Sequence, residues 1–209
     1  MYVLSLGGSL VVPDGVDISF LNELQDIILS SREKFVVICG GGKLARTYQG
    51  YGKSLGLGPE DLDWVGIRAT QLNAELVRGM LGAERIKDFT KPVNAQISVG
   101  AGTEPGCSTD MRAVQAAAFG GKCINLSNID YVYDKDPRIS PDAKRFETLS
   151  WNEYRDLIDK KWSPGMNVPF DPVAAEEAEK NGCAVVFINS LDKLRKILAG
   201  EKVEGTYII

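Results

Sequence analysis

The chain has 209 residues, of which 44% are hydrophobic and 25% charged, a composition typical of one globular domain spanning residues 1–209. Its formal net charge of −4 excludes the basic surplus of a general nucleic-acid binder, so we expect no nucleic-acid partner. The absence of histidine from the sequence excludes a histidine-based catalytic triad and a Cys/His zinc site.

Short apolar runs alternate with segments of helical period along the chain. The predicted buried strands are residues 2–6, 35–39, 96–100, 122–127 and 184–189. The predicted helices are residues 18–31, 60–81, 150–158, 172–181 and 191–199, with capping residues at most of their ends. Residues 128–149 and 159–170 are rich in Pro, Asp and Lys and are predicted to be loops. The alternation predicts an α/β fold with a mainly parallel sheet covered on both faces.

Three glycine-containing turns follow predicted strands. They are LGGSL (6–10), CGGGKLAR (39–46) and GAGTEPGCSTD (100–110). In a parallel α/β sheet, ligands bind at the carboxyl ends of the strands, where the chain turns into helices. Three such turns in one short domain favour a site that binds two or more phosphate groups side by side.

The second turn has the chemistry of a phosphate site. Its glycines permit positive φ and let an anion approach backbone N–H groups, while a helix beginning near Lys43 directs its positive end to the same place. Lys43 and Arg46 both project from the first turns of that helix. The pattern is neither a P-loop nor a dinucleotide fingerprint. Tight packing alone is the alternative explanation for such glycines.

The third turn adds Thr103, Ser108, Thr109 and Asp110 just before a helix of small residues. Hydroxyl and backbone donors at a helix start suit an anion or another polar ligand. Ser108 or Thr109 is equally suited to be the helix N-cap, and Asp110 to be a first-turn acid. Both roles can hold at the same time.

The cysteines and the first residues bear on the protein's location. Cys39, Cys123 and Cys183 lie in apolar runs without a CxxC pair, so we expect small buried thiols. Residues 1–12 contain neither a basic segment nor an apolar run long enough for a signal peptide or membrane span. We therefore expect a cytoplasmic protein with no membrane partner.

The motifs together resemble a known family. In order, the chain carries GGS, GGGKLAR, DWVGIRATQLNAEL (63–76), GTEPGCSTD, SNIDYVYDKDPR (127–138), FDPVAAEEAEKNG (170–182) and EGTYI (204–208). This set resembles the amino-acid kinase superfamily and, within it, the short archaeal-type uridylate kinases. The resemblance implies a three-layer αβα sandwich that transfers the γ-phosphate of ATP to UMP. It also implies Mg²⁺ carried by ATP, no metal ligands from the protein, and a homo-oligomer, either a hexamer or a dimer.

The resemblance divides the chain into an acceptor half, about residues 1–120, and an ATP half, about residues 121–209. In the acceptor half Gly41 would contact UMP through its backbone, and Asp63 would bind the ribose hydroxyls. The third turn would wrap the phosphate and base of UMP. Its implied contacts are Thr103, Glu104, Pro105, Gly106, Cys107, Ser108 and Thr109.

The resemblance also assigns the phosphate-transfer residues. Gly8, Ser9, Gly42 and Arg46 would cradle the transferring phosphates, and Asp171 would help to organise these phosphates and their metal. The contacts to ATP would come from Ser127, Tyr133 and Asp136, with Asp130 in the same loop. Phosphoryl transfer needs in-line positioning and positive charge, and the GGGK spacing assigns part of that charge to Lys43.

Two positions depart from the family pattern. Many members carry a lysine two residues before the first GG, where this chain has Ser5, and a glycine where it has Tyr131. The negative charge of Glu104 beside a bound phosphate would be unfavourable unless its side chain points away. Two alternatives stay open: another kinase of the superfamily acting on a small carboxylate or phosphate, and a non-catalytic nucleotide-binding protein. Against the first, isopentenyl phosphate kinases rely on a histidine that is absent here, and acetylglutamate-type kinases would keep the lysine.

Overall fold

The central sheet is built from strands whose side chains are apolar on both faces. The computed structural model describes residues 1–129, 131–166 and 168–209. Its strands are β1 (Tyr2–Leu6), β2 (Phe35–Cys39), β3 (Glu84–Arg85), β4 (Ile97–Gly100), β5 (Lys122–Leu126), β6 (Val132–Tyr133), β7 (Arg145–Phe146), β8 (Thr148–Leu149), β9 (Val185–Ile188) and β10 (Tyr207–Ile208). The larger sheet has the order β3-β4-β2-β1-β5-β9-β10-β8, and β6 pairs with β7 separately. The first six strands in this order, β3, β4, β2, β1, β5 and β9, are parallel to their neighbours, whereas β10 is antiparallel to β9. The predicted mainly parallel sheet is therefore confirmed.

Helices cover both faces of this sheet. They are α1 (Gly8–Val11), α2 (Ile18–Ser30), α3 (Gly42–Ser54), α4 (Pro59–Leu81), α5 (Thr109–Ala117), α6 (Trp151–Leu157), α7 (Pro172–Lys180) and α8 (Leu191–Leu198). Apolar residues of α2, α4 and α8 pack on one face, and those of α5, α6 and α7 pack on the other. The predicted three-layer αβα architecture is therefore confirmed. No helix among the described residues is both long enough and apolar enough to cross a membrane.

Local sequence signals set the helix ends. Ser150 and Glu153 form a capping box at the start of α6, because each side chain accepts from the other's backbone N–H. Ser108 caps α5, Asp171 caps α7 and Ser190 caps α8, as the sequence predicts. Gly82 follows α4 in the left-handed conformation, with φ 60°.

The shortest elements differ from the sequence-based expectation. The predicted loop at residues 128–149 is wrong at β6, β7 and β8, where the chain forms a small hairpin and an outer strand of the main sheet. Each of these strands has two residues, which is too short for a hydrophobic period to appear. Strand β3 and strand β10 escape sequence analysis for the same reason.

The cysteines follow the expectation from the sequence. Cys39, Cys123 and Cys183 are buried, and all four cysteines are free thiols. Burial raises the pKa of Cys39 to about 12. Its thiol therefore stays protonated and unreactive at neutral pH.

Candidate active site

A cavity of about 800 Å³ lies at the carboxyl ends of the parallel strands. It is lined by the loops after β1, β2 and β4, by α4, and, opposite these, by the segments that follow β5 and α6. This is the edge at which α/β sheets bind ligands, because helix N-termini and flexible turns meet there.

Most of the predicted site residues line this cavity. They are Gly8, Ser9, Gly41, Gly42, Arg46, Asp63, Cys107, Ser108, Thr109, Ser127, Tyr133, Asp136 and Asp171. The cavity wall formed by the described residues leaves out Lys43, Thr103, Glu104, Pro105 and Gly106. Asp130, which was assigned to the ATP loop, lies outside the described residues. The structure therefore brings the first two glycine turns together with the end of the third.

The first two glycine turns are in backbone contact. A Cβ atom added to Gly8 would lie 2.3 Å from the carbonyl oxygen of Gly40, and one added to Gly42 would lie 2.2 Å from the carbonyl carbon of Gly8. Gly42 also has φ +57°, which side-chain-bearing residues rarely adopt. Asn73 of α4 holds this arrangement by donating from Nδ2 to the Gly40 carbonyl oxygen at 2.8 Å. Glycine is thus required here for tight packing, whether or not a phosphate binds.

The two basic residues of the GGGK loop point in different directions. Arg46 lines the cavity, and its Nη2 donates to Ser9 Oγ at 3.0 Å, which links α3 to the first glycine turn. Lys43 instead forms an exposed ion pair with Asp14, in the turn that follows α1. Arg46 therefore faces the cavity in this conformation, while Lys43 lies outside the described cavity wall.

The floor of the cavity is a buried polar cluster. Ser5 and Asn125 are side by side in the β1–β5 register, and Ser5 Oγ donates to Asp110 Oδ1 at 2.8 Å. Asn125 Nδ2 lies 3.4 Å from the same carboxylate oxygen, while Asn125 Oδ1 is buried without a partner. Burial, with a smaller effect from the nearby Asp171 carboxylate, raises the pKa of Asp110 to about 7. Ser5 thus contacts an acid at the position where the family that the sequence resembles often has lysine.

Asp171 is held by donors on both of its carboxylate oxygens. Oδ1 accepts from the backbone N–H groups of Val173 and Ala174 at 2.8 and 2.9 Å, which caps α7. Oδ2 accepts from the Ser108 backbone N–H at 3.0 Å and from the Ser108 hydroxyl. This carboxylate therefore joins the starts of α5 and α7 beneath the cavity.

Asp63 lies in the first turns of α4 and is only 8% exposed. Its Oδ2 accepts from the Gly106 backbone N–H at 2.9 Å and from the Trp162 indole Nε1–H at 3.1 Å. Gly106 belongs to the third glycine turn, whereas Trp162 comes from the segment between α6 and α7. Sequence reasoning identified Asp63 and missed Trp162.

The third glycine turn carries an ion pair away from the cavity. Glu104 Oε1 accepts from Arg112 Nη2 at 2.7 Å, and the side chain of Arg112 is only 5% exposed. Arg112 Nη1 also donates to Gln115 Oε1 at 2.7 Å, while its Nε is buried without a partner. Glu104 thus points toward a buried cation and not into the cavity, so in this structure its side chain does not make the UMP contact that the resemblance implies.

The opposite wall comes from the segment after β5. Arg138 holds the carboxylate of Asp136 with two nitrogens, Nε at 2.9 Å from Oδ1 and Nη2 at 2.6 Å from Oδ2. This guanidinium lowers the pKa of Asp136 to about 2. The Tyr131 ring is buried, with the Arg145 guanidinium 4.5 Å from its centroid, and Tyr133 follows in β6.

The charges on the described wall are predominantly negative. Its cationic side chains are Arg46, Lys135 and Arg138, and its acids are Asp63, Asp110, Asp134, Asp136, Asp159 and Asp171. No group of three or more His, Cys, Asp or Glu residues among the described positions has the geometry to hold a metal ion. Because like charges repel, a cation bound to a polyphosphate would favour its binding at such a wall.

Known proteins share this sequence and this fold. Residues 92–189 match the Amino acid kinase family. The uridylate kinase of Thermoplasma volcanium is 36% identical over 211 residues, which cover 95% of this chain and 93% of that protein. The uridylate kinase of Pyrococcus abyssi is 31% identical over 221 residues, which cover 99% of this chain and 98% of that protein.

Solved structures agree with these relatives. The crystal structure of uridylate kinase from Archaeoglobus fulgidus matches with a TM-score of 0.76 and 30% identity, covering 100% of this chain and 99% of that chain. The UMP kinase of Ureaplasma parvum has the same fold, with a TM-score of 0.76 at 20% identity over 99% of this chain and 97% of that chain. The chain therefore belongs to the amino acid kinase family, in its archaeal uridylate kinase branch.

Proposed function

We propose that this chain transfers the γ-phosphoryl group of MgATP to the phosphate of UMP, giving ADP and UDP. The observation that carries this proposal is the contact of two glycine turns at one end of the cavity, next to Arg46 and the start of α3. This arrangement offers backbone N–H donors and a guanidinium to the same small volume. Phosphoryl transfer depends on positioning and charge stabilisation of this kind.

The proposed site has a ligand on each side of these turns. UMP lies on the Asp63 side, where a carboxylate faces the cavity and can accept from a ribose diol. ATP lies on the side of Ser127, Tyr133 and Asp136. The acceptor oxygen belongs to an ionised phosphate, so no general base is needed, in keeping with the absence of histidine from the chain.

Mg²⁺ enters this proposal as part of the substrate MgATP. The acid-rich wall supports this, because the described part of the whole cavity has six carboxyl groups against three cationic side chains, and a cation carried by ATP would offset their repulsion. Arg46, Lys43 once it has left Asp14, and the metal would together balance the charge of the transferring group, while Asp171 holds the starts of α5 and α7 in place.

A coupled ADP-release assay tests the function. MgATP is supplied with UMP, CMP, dCMP, AMP, acetylglutamate or isopentenyl phosphate, and we expect ADP release that is stimulated selectively by UMP. Faster release with acetylglutamate or isopentenyl phosphate would instead indicate another kinase of the family. Ser5 beside Asp110 supports a second candidate, a nucleotide-binding protein without turnover. That candidate predicts a higher Tm with UMP or UTP and no ADP release with any acceptor.

We also propose that the protein acts as a homo-oligomer. Apolar side chains are exposed along α3, at the residue after it and along α4, and we take them as one candidate patch: Tyr48, Tyr51, Leu55, Trp64, Leu72 and Leu76. A second copy of the chain could bury this patch. Light scattering should give a multiple of 22.8 kDa, which Leu72→Asp lowers and Ile139→Asp, at an exposed position outside both helices, does not. A wild-type mass of one chain would contradict it.

We place the reaction in the cytoplasm as part of the same proposal. The four cysteines are free thiols, and cytosolic proteins rarely form disulfides. Fractionation of the native host cells, with antibody detection of the untagged chain, would test this. Recovery in the membrane pellet after a salt wash would contradict it.

A further inference from the structure

The segment between α6 and α7 crosses from the ATP half to the acceptor half. We call residues 159–166 the strap. Trp162 in the strap donates from Nε1 to Asp63 Oδ2 at 3.1 Å, and these residues are 99 positions apart in the chain. The strap therefore contacts the residue that the proposed function assigns to the sugar of UMP.

A second contact fixes where the strap lies. Gly165 has φ +75°, and a Cβ atom added to it would lie 3.1 Å from Gln49 Oε1. The buried Gln49 donates from Nε2 to the Leu62 carbonyl oxygen at 3.0 Å, one residue before Asp63. The strap is therefore packed against the same corner of α3 and α4 that carries Asp63, and its backbone approaches closely because residue 165 has no side chain.

The two protein donors approach the same carboxylate oxygen. Gly106 N–H and Trp162 Nε1–H both bind Oδ2 of Asp63, and within the described residues Oδ1 accepts from neither of them. A carboxylate oxygen can accept from two hydroxyl groups at once. With Oδ2 engaged, Oδ1 is the oxygen available to a diol in the cavity, and its direction is fixed by the two donors on Oδ2.

We propose that Trp162 is a positioning residue for the acceptor sugar. Its indole N–H holds the Asp63 carboxylate from the ATP half of the chain. The preference for a ribonucleotide over a 2′-deoxyribonucleotide, which depends on that carboxylate, therefore also depends on the strap. This inference rests on the proposed function, and specifies which chemical feature of the acceptor the strap helps to select. The effect operates through binding, so it acts on KM and leaves the transferred phosphoryl group untouched.

Kinetics with UMP and dUMP test this role. Trp162→Phe keeps the aromatic ring and removes the N–H donor, and we expect about a tenfold lower kcat/KM for UMP, expressed in KM, with less than about a twofold change for dUMP. Asp63→Asn should reduce the UMP/dUMP preference at least as strongly. The double variant should show no further loss of preference, because both substitutions remove the same interaction.

Matched controls separate this role from a general effect on folding. Lys161→Gln alters an exposed neighbour in the strap and should keep both KM values. Thermal unfolding of each variant shows whether the fold is retained. In addition, UMP should change the fluorescence of the wild type in a Trp162-dependent manner.

Several outcomes would overturn the inference. Equal losses for UMP and dUMP in Trp162→Phe would make Trp162 a wall of the cavity only, and a lower KM for UMP would make it an obstacle to binding. Additive losses in the double variant would show that the two residues act independently. If the wild type phosphorylates neither nucleotide, the proposed function fails and this inference fails with it. Wild-type activity combined with an unchanged preference in Trp162→Phe overturns the inference alone.

Discussion

Gly8 and Gly42 come from different strand ends, yet their backbones are in contact, and a Cβ atom on Gly42 would lie 2.2 Å from the carbonyl carbon of Gly8. The contact packs the first two glycine turns directly against each other and brings their N–H groups to one end of the cavity. A side chain at either position would have to separate the turns. The geometry of the proposed phosphate site therefore depends on the absence of two side chains.

Gly42→Ala should damage both folding and activity. Alanine at φ +57° is strained, and its Cβ would collide with Gly8, so the free energy of unfolding should fall by about 3 kcal/mol or more. Gly50→Ala is the matched control, because Gly50 is exposed in the same helix with open space around it. It should raise the free energy of unfolding by about 0.5–1 kcal/mol. Urea unfolding measures both, and equal stability of the two variants would contradict the packing argument.

Asp110 should make stability depend on pH near neutrality. Its pKa rises from 3.8 to about 7 on folding, so the folded state binds a proton that the unfolded state has released between these values. Stability should therefore fall as pH rises from about 4 to about 7, by at most about 1.4 kcal/mol per pH unit, and then level off. Asp110→Asn removes this titration.

The test compares urea unfolding of wild type and Asp110→Asn at pH 5, 6, 7 and 8. As pH rises to 7, the free energy of unfolding of the wild type should fall relative to that of Asp110→Asn. Carboxyl groups with a lowered pKa, such as Asp136, change stability only at lower pH. They are present in both proteins, so their effect cancels in the comparison. Parallel curves would show that Asp110 does not titrate in this range.

Lys43 can serve the reaction only after it leaves Asp14. Lys43→Met should then reduce kcat by orders of magnitude while UMP binding is retained. Asp14→Asn frees the lysine from its exposed ion pair and should leave kcat unchanged or higher. Steady-state kinetics decides, because near-normal kcat in Lys43→Met would leave Arg46 as the protein cation that acts on the phosphates.

Glu104→Ala should destabilise the fold through Arg112. The guanidinium would lose its carboxylate while Nε already lacks a partner. Glu104 is 68% exposed at its side chain, so water can replace part of the interaction, and we expect a loss of about 1–3 kcal/mol. Glu201→Ala, at an exposed position, should change stability by less than about 0.5 kcal/mol. Similar urea midpoints for the two variants would contradict this role.

The longer elements of the fold were predictable because their signals are local. Strand β1 and strand β2 are five-residue apolar runs that match their predicted bounds, and α4 begins one residue before its predicted start. Strand β10 was not predictable, because its two residues gain their conformation from pairing with β8 and β9. Tertiary pairing, and not local propensity, determines such short strands.

The candidate site divides in the same way. Glycine turns and N-caps are read from adjacent residues, so Gly42 and Ser108 were identified from the sequence. Trp162 lies 99 positions from its partner Asp63, and Asp110 lies 105 positions from its partner Ser5, so no spacing rule connects them. The lone tryptophan in a polar strap was the sole local hint of Trp162. For Lys43 the local spacing predicts a phosphate contact, whereas in the structure its side chain pairs with Asp14, a partner that the sequence does not indicate.

The bonding of Asp171 limits what this acid can offer a metal ion. Two oxygens have about four lone-pair positions, and two helix N–H groups, one further N–H and one hydroxyl already occupy them. Direct coordination of Mg²⁺ would therefore require Asp171 to release the cap of α7 or the start of α5. A magnesium ion that arrives with ATP would therefore be held by the nucleotide rather than by Asp171, and would leave the site together with it.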